Sequence, residues 1–208
     1  MHVGNDVVDL RDPSNQPDAI HPRFDVRAFT ASELRELRGS ASPHRRRWTL
    51  WAAKESTYKA AKKLDPTVRF FPREFVVEGL DEEGAEVHHS AGRFIVRLRH
   101  CDEWVHAVAA TPRSRLGRRR SVITRSPWPG SAEVRSIERA RGNPSEVARD
   151  LAMDSIASGM AVARKDVELE ARGRIPEVRM RDAQLRVDLS LSHDGQYVAW
   201  AWAGTRHP

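Results

Sequence analysis

Only one cysteine, Cys101, occurs in 208 residues, so no internal disulfide can form and no cysteine zinc site can be assembled. No uncharged apolar run approaches the roughly 20 residues that cross a bilayer, which excludes a helical membrane span. Aromatic residues make up 7% of the chain, and no zinc-finger, RRM or KH signature is present, so the sequence offers nothing that reads nucleic acid. Nine histidines are scattered without a zinc spacing such as HExxH. The opening MHVGNDVVDL lacks the basic region and apolar stretch of a secretory signal. With the scarcity of cysteine, this points to a reducing, cytoplasmic setting. Lysine is scarce too: thirty arginines stand against five lysines, and the formal net charge is +6. Arginine forks grip phosphate oxygens bidentately, so a phosphate-bearing or acidic partner is one reading. An arginine-biased genome is the other.

What is present divides into two similar parts. Val3 to Leu10 reads as a short buried strand around a Gly-Asn-Asp triplet, and Asp12 to Pro22 reads as turn-rich loop. Thr30 or Ser32 caps a helix through Arg38. The basic stretch His44 to Arg47 leads into a second, stronger helix. There Trp48, Trp51, Glu55, Tyr58, Lys59 and Lys62 recur at three- and four-residue spacing, which puts Glu55 and Lys59 one turn apart on one face. Phe94, Val96 and Leu98 alternate with polar neighbours, as do Leu185, Val187, Leu189 and Leu191, the latter followed by the turn Asp194-Gly195. Leu98-Arg99-His100 with Trp104-Val105 matches Leu191-Ser192-His193 with Tyr197-Val198 without a gap, and Leu151-Ala152-Met153-Asp154-Ser155-Ile156 resembles the helix carrying Ala53-Lys54-Glu55-Ser56. These matches predict an internal duplication of class α+β, each half an antiparallel sheet packed on a long helix. Residues 1–112 form the first half, 113–135 an Arg/Pro-rich linker and 136–208 the second half.

Polar residues in apolar surroundings mark the candidate chemistry. Asp6 lies among valines, where an unpaired carboxylate is costly unless it caps a strand end. Glu55 shares a helix face with Trp48 and Trp51, one turn from Lys59, although an exposed Glu-Lys pair has the same spacing. Together the two acids suit magnesium, which takes one or two carboxylates and completes its shell with phosphates and water. Ser192, His193 and Asp194 are sequential, and neighbours on a strand point to opposite faces, so a hydrolytic triad within them has poor geometry. Phosphate contact at a hairpin tip is easier to build, and a functionless turn equally fits the pattern.

Three of these segments resemble the 4'-phosphopantetheinyl transferases. Val3-Gly4-Asn5-Asp6-Val7-Val8-Asp9-Leu10 is similar to that family's GIDIVE-type strand, and Trp51 through Ala60 resembles its WxxKESxxKA helix. Leu189 to Gly195 resembles its SLSH turn, and Gly173-Arg174-Ile175-Pro176 its Gly-Lys-Pro element. The resemblance implies the family's α+β fold and, at this length, its two-half, pseudo-dimeric form. The acid strand and KES helix come first here, however, and the Ser-His turn last, an order closer to the holo-acyl-carrier-protein synthases.

The resemblance also implies a reaction: transfer of 4'-phosphopantetheine from coenzyme A to a serine of an acidic apo carrier protein, acyl, polyketide or peptidyl. Asp6 and Glu55 would bind Mg2+; Lys59, Arg174, Ser192 and His193 would hold coenzyme A. Glu55, or a metal-bound water that it orients, would be the general base, with Lys59 as its catalytic companion. One position departs from the fused branch: Val8 stands where a second acid is common, and the next acid, Asp9, points to the other face. Within the duplication the first half's turn has Arg99 in place of serine, and the second half's helix has Asp154-Ser155 in place of Lys-Glu. Arg45 to Arg47 and the arginines of 113–120 are the expected carrier-facing charges, and a monomer is the expected state. A catalytically silent relative that binds coenzyme A or a carrier protein is the competing reading.

Overall fold

The computed structural model describes residues 1–112, 130–136, 143–172, 175–181 and 185–206. The chain opens with strand β1 (Val3–Asp9), every residue of which is buried. A loop with one 3-10 turn leads to the five-residue helix α1 (Phe24–Ala28) and to α2 (Ala31–Gly39). Thr30 caps α2 as expected: its hydroxyl accepts the Glu33 N–H while the Glu33 carboxylate accepts the Thr30 N–H, a reciprocal capping box. Helix α3 runs over Pro43–Leu64. His44 to Arg47 therefore form its first turns rather than leading into it, because Pro43 at the first helical position is pre-set for a helix start.

Strands β2 (Val76–Glu78), β3 (Gly84–His89), β4 (Gly92–His100) and β5 (Trp104–Ala110) complete a five-stranded antiparallel sheet in the order β1-β5-β4-β3-β2. Helix α3 shares its core: Leu50, Ala52, Ala53, Ala60 and Ala61 are buried with Phe94, Val96, Leu98, Val105 and Ala107. The helix also buries Ser56 and Thr57, whose hydroxyls are satisfied by the Ala53 carbonyl. Its small residues bring β1 close. A Cβ at Gly4 would stand 2.0 Å from the Ser56 carbonyl oxygen and 2.7 Å from the Ala60 nitrogen, so only glycine fits.

A second sheet is built from β6 (Gly130–Ser136), β9 (Leu185–Asp194) and β10 (Tyr197–Arg206) in the order β6-β10-β9, with β7 (Val167–Arg172) and β8 (Ile175–Met180) as a separate hairpin. Helix α4 (Pro144–Met160) contributes Ala152, Ile156 and Ala157 to a core with Leu189, Trp200 and Trp202. Of the span read from sequence as a linker, 113–129 lie outside the described residues and 130–135 belong to β6. The two sheets repeat one register. In β1-β5-β4, Asp9 faces Trp104 and His100 faces Val105; in β6-β10-β9, Ser136 faces Tyr197 and His193 faces Val198. No described helix is long and apolar enough to cross a membrane.

The sheets meet along β1 and β9 without a backbone ladder. Instead the polar side chains of β9 accept the free N–H groups of β1: Asp188 takes Val3 at 2.6 Å, Ser190 takes Asn5 at 2.9 Å and Asp194 takes Asp9 at 2.8 Å. Each bond joins residues 185 apart, so the two strands run in the same direction. Buried N–H groups must find acceptors, and here Asp188, Ser190 and Asp194 of β9 supply three.

Candidate functional site

The close packing of β1 on α3 brings three charged groups together. Lys59 Nζ donates to Asp6 Oδ1 at 2.8 Å and to the Asn5 carbonyl at 2.9 Å. Glu55, one helical turn earlier, shares a hydrogen bond with Asp6. Burial drives the Asp6 carboxyl upward against the pull of Lys59. Burial first, and then the neighbouring Asp6 charge, push Glu55 up to about 8. Two carboxyls in one buried contact hold a proton where water would let both ionise.

Lysine spacing extends this arrangement along β1. Lys63 Nζ, one turn beyond Lys59, donates to the carbonyls of Val3 and Leu189 and to Asp188 Oδ2, joining α3, β1 and β9 at one buried point. Burial lowers the Lys63 ammonium while Asp188 supports it. Lys54, by contrast, faces away from the acids. Its fully buried Nζ meets Glu33 at 2.8 Å and donates to the carbonyls of Pro72 and Phe75. It ties α2, α3 and the approach to β2 together and has no access to a ligand.

From the second sheet, the exposed His193 lies within electrostatic reach of Asp6, and Asp194 adds to the field at Glu55. His193 Nε2 lies 3.2 Å from Ser145 Oγ in the first turn of α4. Both residues line a cleft of about 760 Å³ together with Arg149, Glu170, Pro176 and Leu191. Ser192 borders the same cleft, yet its Oγ is buried and accepts Asn5 Nδ2 at 2.9 Å. Asn5 Nδ2 also reaches His106 Nε2 at 3.2 Å. Burial pushes that imidazole down to about 3, so it stays neutral. Arg174 lies outside the described residues.

Of the residues expected from sequence, the fold therefore gathers Asp6, Glu55 and Lys59, sets His193 at their margin, and turns Ser192 inward on Asn5. Sequence reasoning missed Lys63, Asp188, His106, Ser145 and Arg149. The alternating polar positions of β9 were the available signal, but the same alternation marks a solvated face. Among the expected carrier-facing arginines, Arg47 forks Asp25 at 2.7 and 2.9 Å, Arg46 reaches the Leu80 carbonyl at 3.4 Å and Arg45 stands 3.9 Å from Glu82. The 113–120 arginines lie outside the described residues.

Among the described residues no group of three or more His, Cys, Asp or Glu is placed to hold a metal ion. The donor set fits a hard divalent cation that needs only two protein oxygens. Asp6 and Glu55 are adjoining carboxyls whose shared proton a cation would replace, and magnesium accepts such a pair with substrate and water oxygens.

Comparison with known protein families matches residues 2–109 to the 4'-phosphopantetheinyl transferase superfamily. That span holds β1, α3 and all five strands of the first sheet but for Ala110 at the end of β5. Among curated proteins, none matches this sequence.

Proposed function

The chain belongs to the 4'-phosphopantetheinyl transferase superfamily, and from that premise we propose that it moves the 4'-phosphopantetheine group of coenzyme A onto a serine of an apo carrier protein. The observation that carries this reading is the partly buried Asp6–Glu55–Lys59 group, with His193 of the second sheet lining a cleft. The two-half division is part of it: residues 1–112 bring the acids, and the second half, whose sheet opens with β6 at Gly130, brings the cleft.

In this reading Asp6 and Glu55 hold a magnesium ion, which when bound neutralises pyrophosphate charge. Lys59 holds a phosphate oxygen from one side and His193 from the other, each as a charge-assisted donor. Coenzyme A lies along the cleft, with Arg149 and Arg174 as its further phosphate partners and Ser192 at its wall. The carrier serine Oγ attacks the β-phosphorus, and the bond from that phosphorus to the oxygen shared with the α-phosphate breaks. Adenosine 3',5'-bisphosphate leaves, and Glu55 takes the serine proton. The protein forms no covalent bond to substrate; it positions groups and balances charge. Because one chain supplies both sides of the site, it acts as a monomer in the cytoplasm, and its arginine excess steers the acidic carrier toward it.

Intact-mass analysis of an apo acyl carrier protein, incubated with this protein, coenzyme A and magnesium, tests the reading against a chelator control. A metal-dependent gain of one phosphopantetheine is expected. No gain on acyl, polyketide or peptidyl carriers, with coenzyme A still bound, favours the silent binding relative. That alternative draws on Val8, which stands where a second acid is common.

A further inference from the structure

The turn between β9 and β10 is tied to the end of β1 by a reciprocal pair of carboxylates. Asp194 Oδ2 accepts the backbone N–H of Asp9 at 2.8 Å and Asn15 Nδ2 at 2.6 Å. In return Asp9 Oδ2 accepts the N–H of Gln196 at 3.1 Å, while its Oδ1 accepts the N–H of Arg11 at 2.9 Å. Gly195 lies between the two contacts with φ of +51°, and a Cβ there would stand 2.2 Å from Asp9 Oδ2. The turn closes on that carboxylate only because the side chain is absent. Asp9 is buried, three residues beyond Asp6 on one strand, and His193 immediately precedes Asp194 on the other. The pair thus joins the strand that carries the acid to the strand that carries the histidine.

The repeated register supplies an internal control. It sets Glu133 in the place of Asp6, since these face Trp200 and Ala107. It likewise sets Ser136 in the place of Asp9 and, one residue past the paired histidines, Cys101 in the place of Asp194. This second arrangement keeps an acid and a histidine and has neither carboxylate of the tie. There the Glu103 N–H turns back to Cys101 Sγ at 3.4 Å, and His100 pairs with Glu82 at 2.7 Å. The tie is present only in the arrangement whose histidine lies near enough to Asp6 to act on its carboxyl electrostatically.

We propose that Asp9 and Asp194 are positioning residues: by capping each other's backbone across the two sheets, they fix His193 relative to Asp6, Glu55 and Lys59 for the transfer reaction. The inference rests on the function proposed above. Neither carboxylate needs to touch coenzyme A. Each acts through the turn, where a shift of about 1 Å costs on the order of 100-fold in rate.

A double-mutant cycle with His193→Ala is the test, read as kcat/KM for phosphopantetheine transfer. Asp9→Ala should cost ~10- to 100-fold in the wild-type background. In the His193→Ala background it should cost less than about threefold, because the residue it positions is gone. The fall in Tm should be equal in both backgrounds. If Asp9→Ala does not fold, Asp9→Asn and Asp194→Asn, which each keep one acceptor oxygen, carry the same cycle. Equal fold losses in both backgrounds of an active enzyme would overturn the positioning role alone. A wild-type protein that modifies no carrier would instead sink the transferase reading, and this proposal with it.

Discussion

Within the Lys54-Glu55 dipeptide, two adjacent charged residues take opposite duties. Glu55 meets Asp6 at the site, while Lys54 sits in the core against Glu33. Glu55→Gln should reduce transfer by at least ~100-fold with Tm unchanged or raised, since it removes one of two crowded acids at constant shape. Lys54→Met leaves the Glu33 carboxylate buried without its cation and should cost about 3 kcal/mol in stability. Its kcat, measured on folded protein, should stay near wild type. The reverse pattern in the two variants would exchange their roles. His106 makes a third case. Its folded pKa of about 3 lies below the ordinary imidazole value of 6.5, so the unfolded state binds more protons between them. Stability from this residue is complete above pH 6.5 and is lost as pH falls toward 3. His106→Gln should flatten the decline of unfolding free energy between pH 6.5 and 4, measured by urea titration at each pH.

At the scale of elements, the site depends on how closely a strand lies on a helix. Gly4 permits the contact that puts the Asn5 carbonyl and Asp6 within reach of Lys59. Gly4→Ala places a methyl group on the Ser56 carbonyl and should destabilise by about 3 kcal/mol, the upper range for overpacking. The displaced strand should also lose transfer activity at temperatures where the variant is folded, a deficit that circular dichroism and intact-mass assays together would separate from unfolding. Strand β1, α2 and the Asp194-Gly195 hairpin were legible in sequence because a short apolar run, an N-cap residue and a turn pair are local signals. Strands β2, β3, β7 and β8 were not assigned from sequence. They are short, six residues or fewer, and carry weak alternation.

The whole molecule sets two sheets side by side and completes the candidate site across their junction. Lys63, Asp188 and the acceptors of β9 secure that junction at one end, and Asp9 with Asp194 at the other. His193→Ala should raise KM for coenzyme A by ~10-fold, as loss of a charge-assisted hydrogen bond does, and leave KM for the carrier little changed. An effect confined to the carrier would contradict the assignment of the cleft to coenzyme A. Helix period placed Glu55 and Lys59 on one face, and the resemblance of three motifs to a known family marked Asp6, Glu55, Lys59 and His193 together. Tertiary structure alone decided that Ser190, Ser192 and Asp194 face the backbone and side chains of β1 rather than water, and that Lys54 is core. An alternating polar face looks the same in sequence whether it meets solvent or an unpaired strand edge. Here the edge that decides it lies 185 residues away.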